Sequence, residues 1–210
     1  MSQIYLASEM AEVSSHIAGK IGNVSKLKVA FITTAGEQDA DKAWINIDRD
    51  GMKLGGFNLF DYTITDKSPD QLEKDLGDLD LIHVNGGNTF YLLLQMRKCG
   101  FEAFIKRQLA KGIIYTGSSA GSVVAAPDIG ITKTIETKIF EEKLKTFEGL
   151  SLVDFLVLPH WGNDQFKDLY LNRRLELAYK PENKIILLND YQYVSVTDGK
   201  YEIVDIRKDS

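Results

Sequence analysis

The chain carries a serine, a histidine and an acid just past the carboxyl ends of expected strands, where turns present reactive groups. Ser119 is central in Gly117-Ser118-Ser119-Ala120-Gly121. A G-x-S-x-G run between a strand and a helix exposes the hydroxyl on a sharp turn, and its glycines leave room for neighbouring backbone. The same turn aims backbone N–H groups at a reacting carbonyl oxygen. A hydroxyl is a poor nucleophile until a base takes its proton. The chain has 3 histidines. His83 lies within the apolar run Leu81-Ile82-His83-Val84 and reads as a core imidazole. His16 falls on the first helix and reads as a surface residue. His160, in Leu158-Pro159-His160-Trp161-Gly162-Asn163, is the one at the carboxyl end of a strand. An imidazole base needs an orienting carboxylate. Asp190, just past the strand at 185–188, fits that role, with Asp128, Glu136 and Asp164 as rivals. The order Ser, His, Asp differs from the Ser, Asp, His order of the α/β-hydrolases.

A second stretch complements the serine. Asn85-Gly86-Gly87-Asn88-Thr89-Phe90 joins a strand to a helix, and paired glycines there permit close backbone approach to a ligand at a helix N-terminus. The N–H groups of Gly87 and Ala120 are the candidate donors to a developing oxyanion. A phosphate-type nest and a plain turn are the other readings of the same residues. Ser118 and Ser122 read as packing or capping residues. Cys99, the single cysteine, excludes an intramolecular disulfide and a multi-cysteine metal site. It follows helix residues instead of sitting at an elbow, which argues against thiol-based glutamine amidotransfer.

These residues need a scaffold, and the apolar pattern supplies one. Strands are expected at Ile4 to Ala7, Leu27 to Thr33, Phe57 to Ile64, Leu79 to Val84, Gly112 to Thr116, Phe155 to Leu158 and Lys184 to Leu188. Helices are expected from about Asp39 to Leu54, with Ala43, Ile47 and Leu54 on one face, and after Ser68-Pro69, where serine caps and proline suits the first turn. Further helices are expected at Thr89 to Arg97, Phe101 to Lys111 and Asp164 to Tyr179. Tyr191 to Val196 and Tyr201 to Ile206, turned at Asp198-Gly199, read as a terminal β-hairpin. Alternating strands and helices specify an α/β fold, a mostly parallel sheet flanked by helices on both faces. Ligands of such sheets bind at the carboxyl ends of the strands. Ser119 and His160 are expected at that edge.

With 210 residues, 44% of them hydrophobic, the chain suits a single α/β domain spanning 1–210. A net charge of −5 disfavours nucleic acid or an anionic membrane as partner. No run approaches the roughly 18 apolar residues of a membrane span. Residues 1–20 lack the basic and long apolar regions of a signal peptide, so a soluble cytoplasmic protein is expected.

Three motifs in order, Val84-Asn85-Gly86-Gly87-Asn88-Thr89-Phe90, Gly117-Ser118-Ser119-Ala120-Gly121 and Pro159-His160-Trp161-Gly162-Asn163, resemble those of the peptidase E family. These are the S51 serine peptidases, which include aspartyl dipeptidases and cyanophycinase. The resemblance runs over nearly the whole chain. It implies a class I glutamine amidotransferase-like, flavodoxin-like sandwich with serine in place of cysteine at the elbow. It also implies hydrolysis of dipeptides with N-terminal aspartate, without metal or cofactor. The nucleophile then falls on Ser119, the base on His160 and the oxyanion donors on Gly87 and Ala120. For the acid, the resemblance points to two places. One is Asp190, where many relatives have Glu; the other aligns with Thr134, which has no carboxylate. Asp190 is therefore favoured.

Specificity departs from the pattern. Aspartate-specific relatives carry an arginine on the helix after the histidine, and Leu171 aligns with it. Arg173 and Arg174 are near in sequence but face other directions on a regular helix. The substrate-binding candidates are Asn88, Trp161, Arg173 and Arg174. The expected activity is a Ser-His-Asp hydrolysis of small peptides, with preference for Asp-X left open. The departures at Thr134 and Leu171 motivate the alternative, a non-catalytic or altered-specificity binding or regulatory protein on this scaffold. The expected partner is a small peptide, with no nucleic acid and no membrane; monomer and homodimer are both open.

Overall fold

Alternation of period two along each central strand sorts its side chains onto two faces. Tyr5, Ala7, Val29, Phe31 and Leu81 point to one, and Ile4, Leu6, Ala30, Ile32, Ile82 and Val84 to the other. Both faces are apolar, so both must be covered by helices. The computed structural model describes residues 2–134 and 138–208 and shows this arrangement.

A seven-stranded sheet runs in the order β3-β2-β4-β5-β1-β8-β9. Its parallel part comprises β1 (Gln3–Ala7), β2 (Val29–Ile32), β3 (Leu59–Tyr62), β4 (Leu81–Val84) and β5 (Ile114–Ser118). The hairpin of β8 (Gln192–Thr197) and β9 (Lys200–Asp205) continues the sheet antiparallel to β1, turning at Asp198-Gly199 as expected. One face is covered by α1 (Met10–Ile21) and α2 (Ala43–Leu54), through Met10, Val13, Ile17 and Met52. The other is covered by α3 (Pro69–Leu76), α4 (Thr89–Cys99) and α5 (Phe101–Lys111), through Leu72, Phe90, Met96 and Phe104. Ser68 and Gln71 form a reciprocal capping box at the start of α3, with Pro69 in its first turn.

Several expectations shift. The fifth strand begins later and runs to Ser118, because its carboxyl end pairs in register with Ala7 of β1. α2 begins at Ala43, and its buried face is Ile45, Asp48, Gly51 and Met52, whereas Ile47 and Leu54 face solvent. Polar anchoring sets that rotation: Ser14 Oγ donates to the Gly51 carbonyl and the Ala11 N–H to Asp48. A short helix α6 (Ala120–Val123) follows the elbow, and α7 (Lys138–Leu144) has no counterpart in the sequence reading.

The second half departs most. β6 (Leu156–Leu158) and β7 (Ile185–Leu187) pair in parallel with each other and stand apart from the seven-stranded sheet. β1 has its outer side taken by β8, so no edge is open to them there. The expected helix from Asp164 to Tyr179 is broken into a 3₁₀ turn (Asp164–Phe166), α8 (Lys167–Leu169), a π-helical turn (Tyr170–Arg174) and α9 (Leu175–Ala178). Among the described residues no helix is long and apolar enough to cross a membrane.

Candidate active site

The register of the parallel strands brings Ala7, Val84 and Ser118 to one edge, and the site is built just beyond them. Ser119 has φ 49° and ψ −109°, a conformation a non-glycine residue adopts only when its surroundings impose it. Its N–H is held by the carbonyls of Ala7 and Ser8. Gly121 makes the turn sterically feasible, since a Cβ there would lie 1.9 Å from the Val84 carbonyl oxygen. Ser122 donates to the Ala7 and Gly117 carbonyls, and Ser118 donates to Asp48, so both flanking hydroxyls are structural.

His160 reaches Ser119 from the loop after β6 and not from the edge of the same sheet. Its Nε2 lies 3.0 Å from Ser119 Oγ and its Nδ1 lies 2.7 Å from Asp190 Oδ1. Phe166 stacks on the imidazole at 4.6 Å and 12°, fixing the ring plane. The backbone of His160 is left-handed, φ 63°, and its N–H donates to Ser8 Oγ at 2.7 Å. Asp190 accepts from Ser8 Oγ at 2.7 Å and from Asn163 Nδ2 at 3.1 Å. Burial pushes the Asp190 carboxyl up, but the hydrogen bonds of His160, Ser8 and Asn163 outweigh it and hold the group down at about 2.

Gly87 and Ala120 line the same cavity as Ser119 and His160, a space of about 580 Å³. Neither of their N–H groups donates a hydrogen bond to a described residue. Gly87 has φ 123°, and a Cβ on it would lie 2.5 Å from the Ala35 carbonyl carbon. Asn88 also lines the cavity, but its side-chain oxygen caps α4 by accepting from Phe90 and Tyr91 N–H.

The remaining candidates separate cleanly. Arg174 lines the cavity, its guanidinium 5.0 Å from the centre of the Tyr170 ring. Its Nε and Nη1 are buried and find no acceptor among the described residues. Arg173 and Trp161 do not line it, contrary to expectation. Trp161 packs edge-on against Tyr170 and shares a separate groove with Leu171. The π-helical turn changes the rotation per residue, so directions inferred from a regular helix do not apply at 170–174. Thr134 lines the cavity without supplying a carboxylate. Asp128 caps the Gly130 N–H, Asp164 is exposed, and Glu136 lies outside the described residues. His83 is fully buried against Thr116 and Asn85, and burial lowers it to about 4. His16 is half-buried and bonded to the Tyr193 hydroxyl, not a surface group, because β8 covers it.

Three site residues escaped the sequence reading. Ser8 sits immediately past β1, at a carboxyl strand end, which was the usable signal. Asp48, in mid-helix, had none. Glu9 lines the cavity next to Ser8. Glu9, His160 and Asp190 each place a potential metal-ligand atom within 4.8 Å of the others. In this arrangement His160 and Asp190 are already bonded to each other.

A serine on a strand-to-helix elbow, bonded to an imidazole that is tied to a carboxylate, is the arrangement of nucleophile-elbow hydrolases. The comparisons with known proteins agree with that class. The family model for peptidase family S51 matches residues 2–204. The chain belongs to peptidase family S51. It is 27% identical over 198 residues to an uncharacterized peptidase of Listeria innocua, covering 94% of each chain. It is 30% identical over 166 residues to an uncharacterized peptidase of Pasteurella multocida, covering 79% of this chain and 80% of that one. A crystal structure of a candidate peptidase E protein from Listeria monocytogenes superposes with a TM-score of 0.88 at 25% identity, covering 98% of both chains.

Proposed function

We propose that the protein is a serine peptidase that hydrolyses short peptides, with dipeptides bearing an acidic first residue as the leading substrate class. The continuous hydrogen-bonded line from Ser119 Oγ through His160 to Asp190 carries this reading. Ser119 Oγ attacks the scissile carbonyl carbon as its proton passes to His160 Nε2. The carbonyl oxygen becomes an oxyanion between the N–H groups of Gly87 and Ala120. The C–N bond then breaks as the imidazolium returns the proton to the leaving amine, leaving an acyl-Ser119 ester. Water, deprotonated by His160, cleaves that ester and restores the serine. Asp190 holds the imidazole in the tautomer with hydrogen on Nδ1 and stabilises the imidazolium.

The acidic preference rests on Arg174. Its unpartnered N–H groups in the cavity wall suit a carboxylate. Absence of arginine at Leu171 therefore does not remove the positive end of the cavity.

A fluorophosphonate probe tests the nucleophile: labelling is expected at Ser119 and lost in Ser119→Ala. Well-folded wild-type protein that resists the probe would overturn the reading. A panel of Asp-X, Glu-X, Asn-X and neutral dipeptides tests the preference, and equal rates throughout would reject it.

A further inference from the structure

We propose that Glu9 is the receptor for the free α-ammonium group of the peptide, so that the enzyme requires an unblocked amino terminus. This assignment deepens the peptidase reading and rests on it. Glu9 directly follows Ser8 and lines the cavity that holds Ser119. It occupies the N-cap position of α1, yet its side chain makes no cap hydrogen bond. Its carboxylate accepts from no described residue, in contrast to Asp48 and Asp190 beside it, which are both bonded. An unbonded, half-buried carboxylate in a substrate cavity is matched by a cationic donor.

Placement in the cavity bears on which cation. A carboxylate oxygen of Glu9 lies within 4.8 Å of a ring nitrogen of His160, and His160 Nε2 is 3.0 Å from the nucleophilic oxygen. In a peptide the α-nitrogen is two bonds, about 2.5 Å, from the carbonyl carbon under attack. Glu9 follows Ser8, whose carbonyl accepts the Ser119 N–H, and Glu9 and Ser119 line one cavity, which places the carboxylate in reach of an α-ammonium. A lysine ammonium, at the end of a four-carbon stem, would reach further from the carbonyl.

Charge points the same way. Glu9 shares the cavity lining with Asp48, and burial with the nearby Asp48 and Asp190 charges raises its carboxyl to about 7, against the smaller opposing effect of His160. An arriving ammonium relieves that repulsion. With Arg174 contributed after β6, the cavity lining offers a cation for an acidic first side chain and an anion for the α-ammonium beside it.

The test measures binding, so that it does not depend on turnover. The Ser119→Ala variant is titrated calorimetrically with Asp-Leu and with N-succinyl-leucine, the same molecule lacking only the α-amino group. Asp-Leu is expected to bind about 10- to 100-fold more tightly, the range for a hydrogen bond to a charged group. In Ser119→Ala/Glu9→Gln the two ligands are expected to bind within about twofold of each other, and Glu9→Asp to recover part of the preference. Equal binding of the two ligands to Ser119→Ala, a preference that survives Glu9→Gln, or no binding of either ligand overturns the assignment. If Ser119→Ala shows the Glu9-dependent preference and the wild type still fails to cleave Asp-Leu, the peptidase reading falls and the ammonium site stands.

Discussion

The Ser8 hydroxyl donates to Asp190 Oδ1 at 2.7 Å, the same oxygen that His160 Nδ1 approaches at 2.7 Å. Ser8 also accepts the His160 N–H, so one fully buried hydroxyl fixes both His160 and Asp190. It holds the loop after β6 against the end of β1, although those strands belong to different sheets. Ser8→Ala should lower kcat about 10- to 100-fold with little change in KM, and cost about 1–2 kcal/mol of stability. A positioning role moves kcat, whereas a purely structural one shows only in unfolding. Unchanged kcat in folded protein would reject the role.

Asp190→Asn should retain the fold and lower kcat by on the order of 10³–10⁴, the scale seen when a serine triad loses its carboxylate. An amide carries no charge to stabilise the imidazolium, and an N–H₂ donating to Nδ1 favours the tautomer with hydrogen on Nε2, which cannot take the Ser119 proton. Steady-state kinetics on a dipeptide decides this. A loss under tenfold would move the acid role elsewhere, with Glu136 the first position to mutate.

The parallel sheet, both flanking helix layers and the hairpin were legible because strand and helix periodicities differ and the turn residues are distinctive. The convergence of Ser119, His160 and Asp190 was legible because each follows a strand. What was not legible depends on non-local contacts. Nothing local in Leu156-Val157-Leu158 tells that β8 has already taken the edge of β1. Asp48 carries no local mark of burial in mid-helix; its bonds to Ser118 and the Ala11 N–H come from elements distant in sequence. Arg174 reaches the cavity although a regular helix would turn it elsewhere, and the π-helical turn that carries it has no clear sequence mark.

Arg174→Met should raise KM for Asp-Leu about 10- to 100-fold and leave neutral dipeptides much less affected, since a charge-assisted contact is lost only where the first residue's side chain has a carboxylate to offer. Arg173→Met, outside the cavity, should change neither by more than about twofold. Kinetics with Asp-Leu and Ala-Leu compares them. Equal effects of the two substitutions would place substrate recognition elsewhere.

Glu9 should make the protein less stable as it becomes better at binding an ammonium. Burial raises its folded carboxyl to about 7 from an ordinary 4.5, reinforced by Asp48 of α2, by Asp190 before β8 and by Glu12 of its own helix, and opposed by His160. A raised acid favours the fold in its neutral form. Its contribution is fully present below about 4.5 and is lost as pH rises through about 7. Asp190 has the opposite sign: held at about 2 against an ordinary 3.8, it stabilises above about 3.8 and fails as pH falls through about 2. Glu9→Gln removes only the first effect. It should raise stability by about 1–3 kcal/mol at pH 8, where the ionised carboxylate is strained, and by almost nothing at pH 4. Urea unfolding of wild type and Glu9→Gln at the two pH values measures the difference. The same shift at both would show that the carboxylate is not destabilised in the fold. A gain confined to high pH, together with loss of ammonium binding, would show a functional charge kept at the expense of stability.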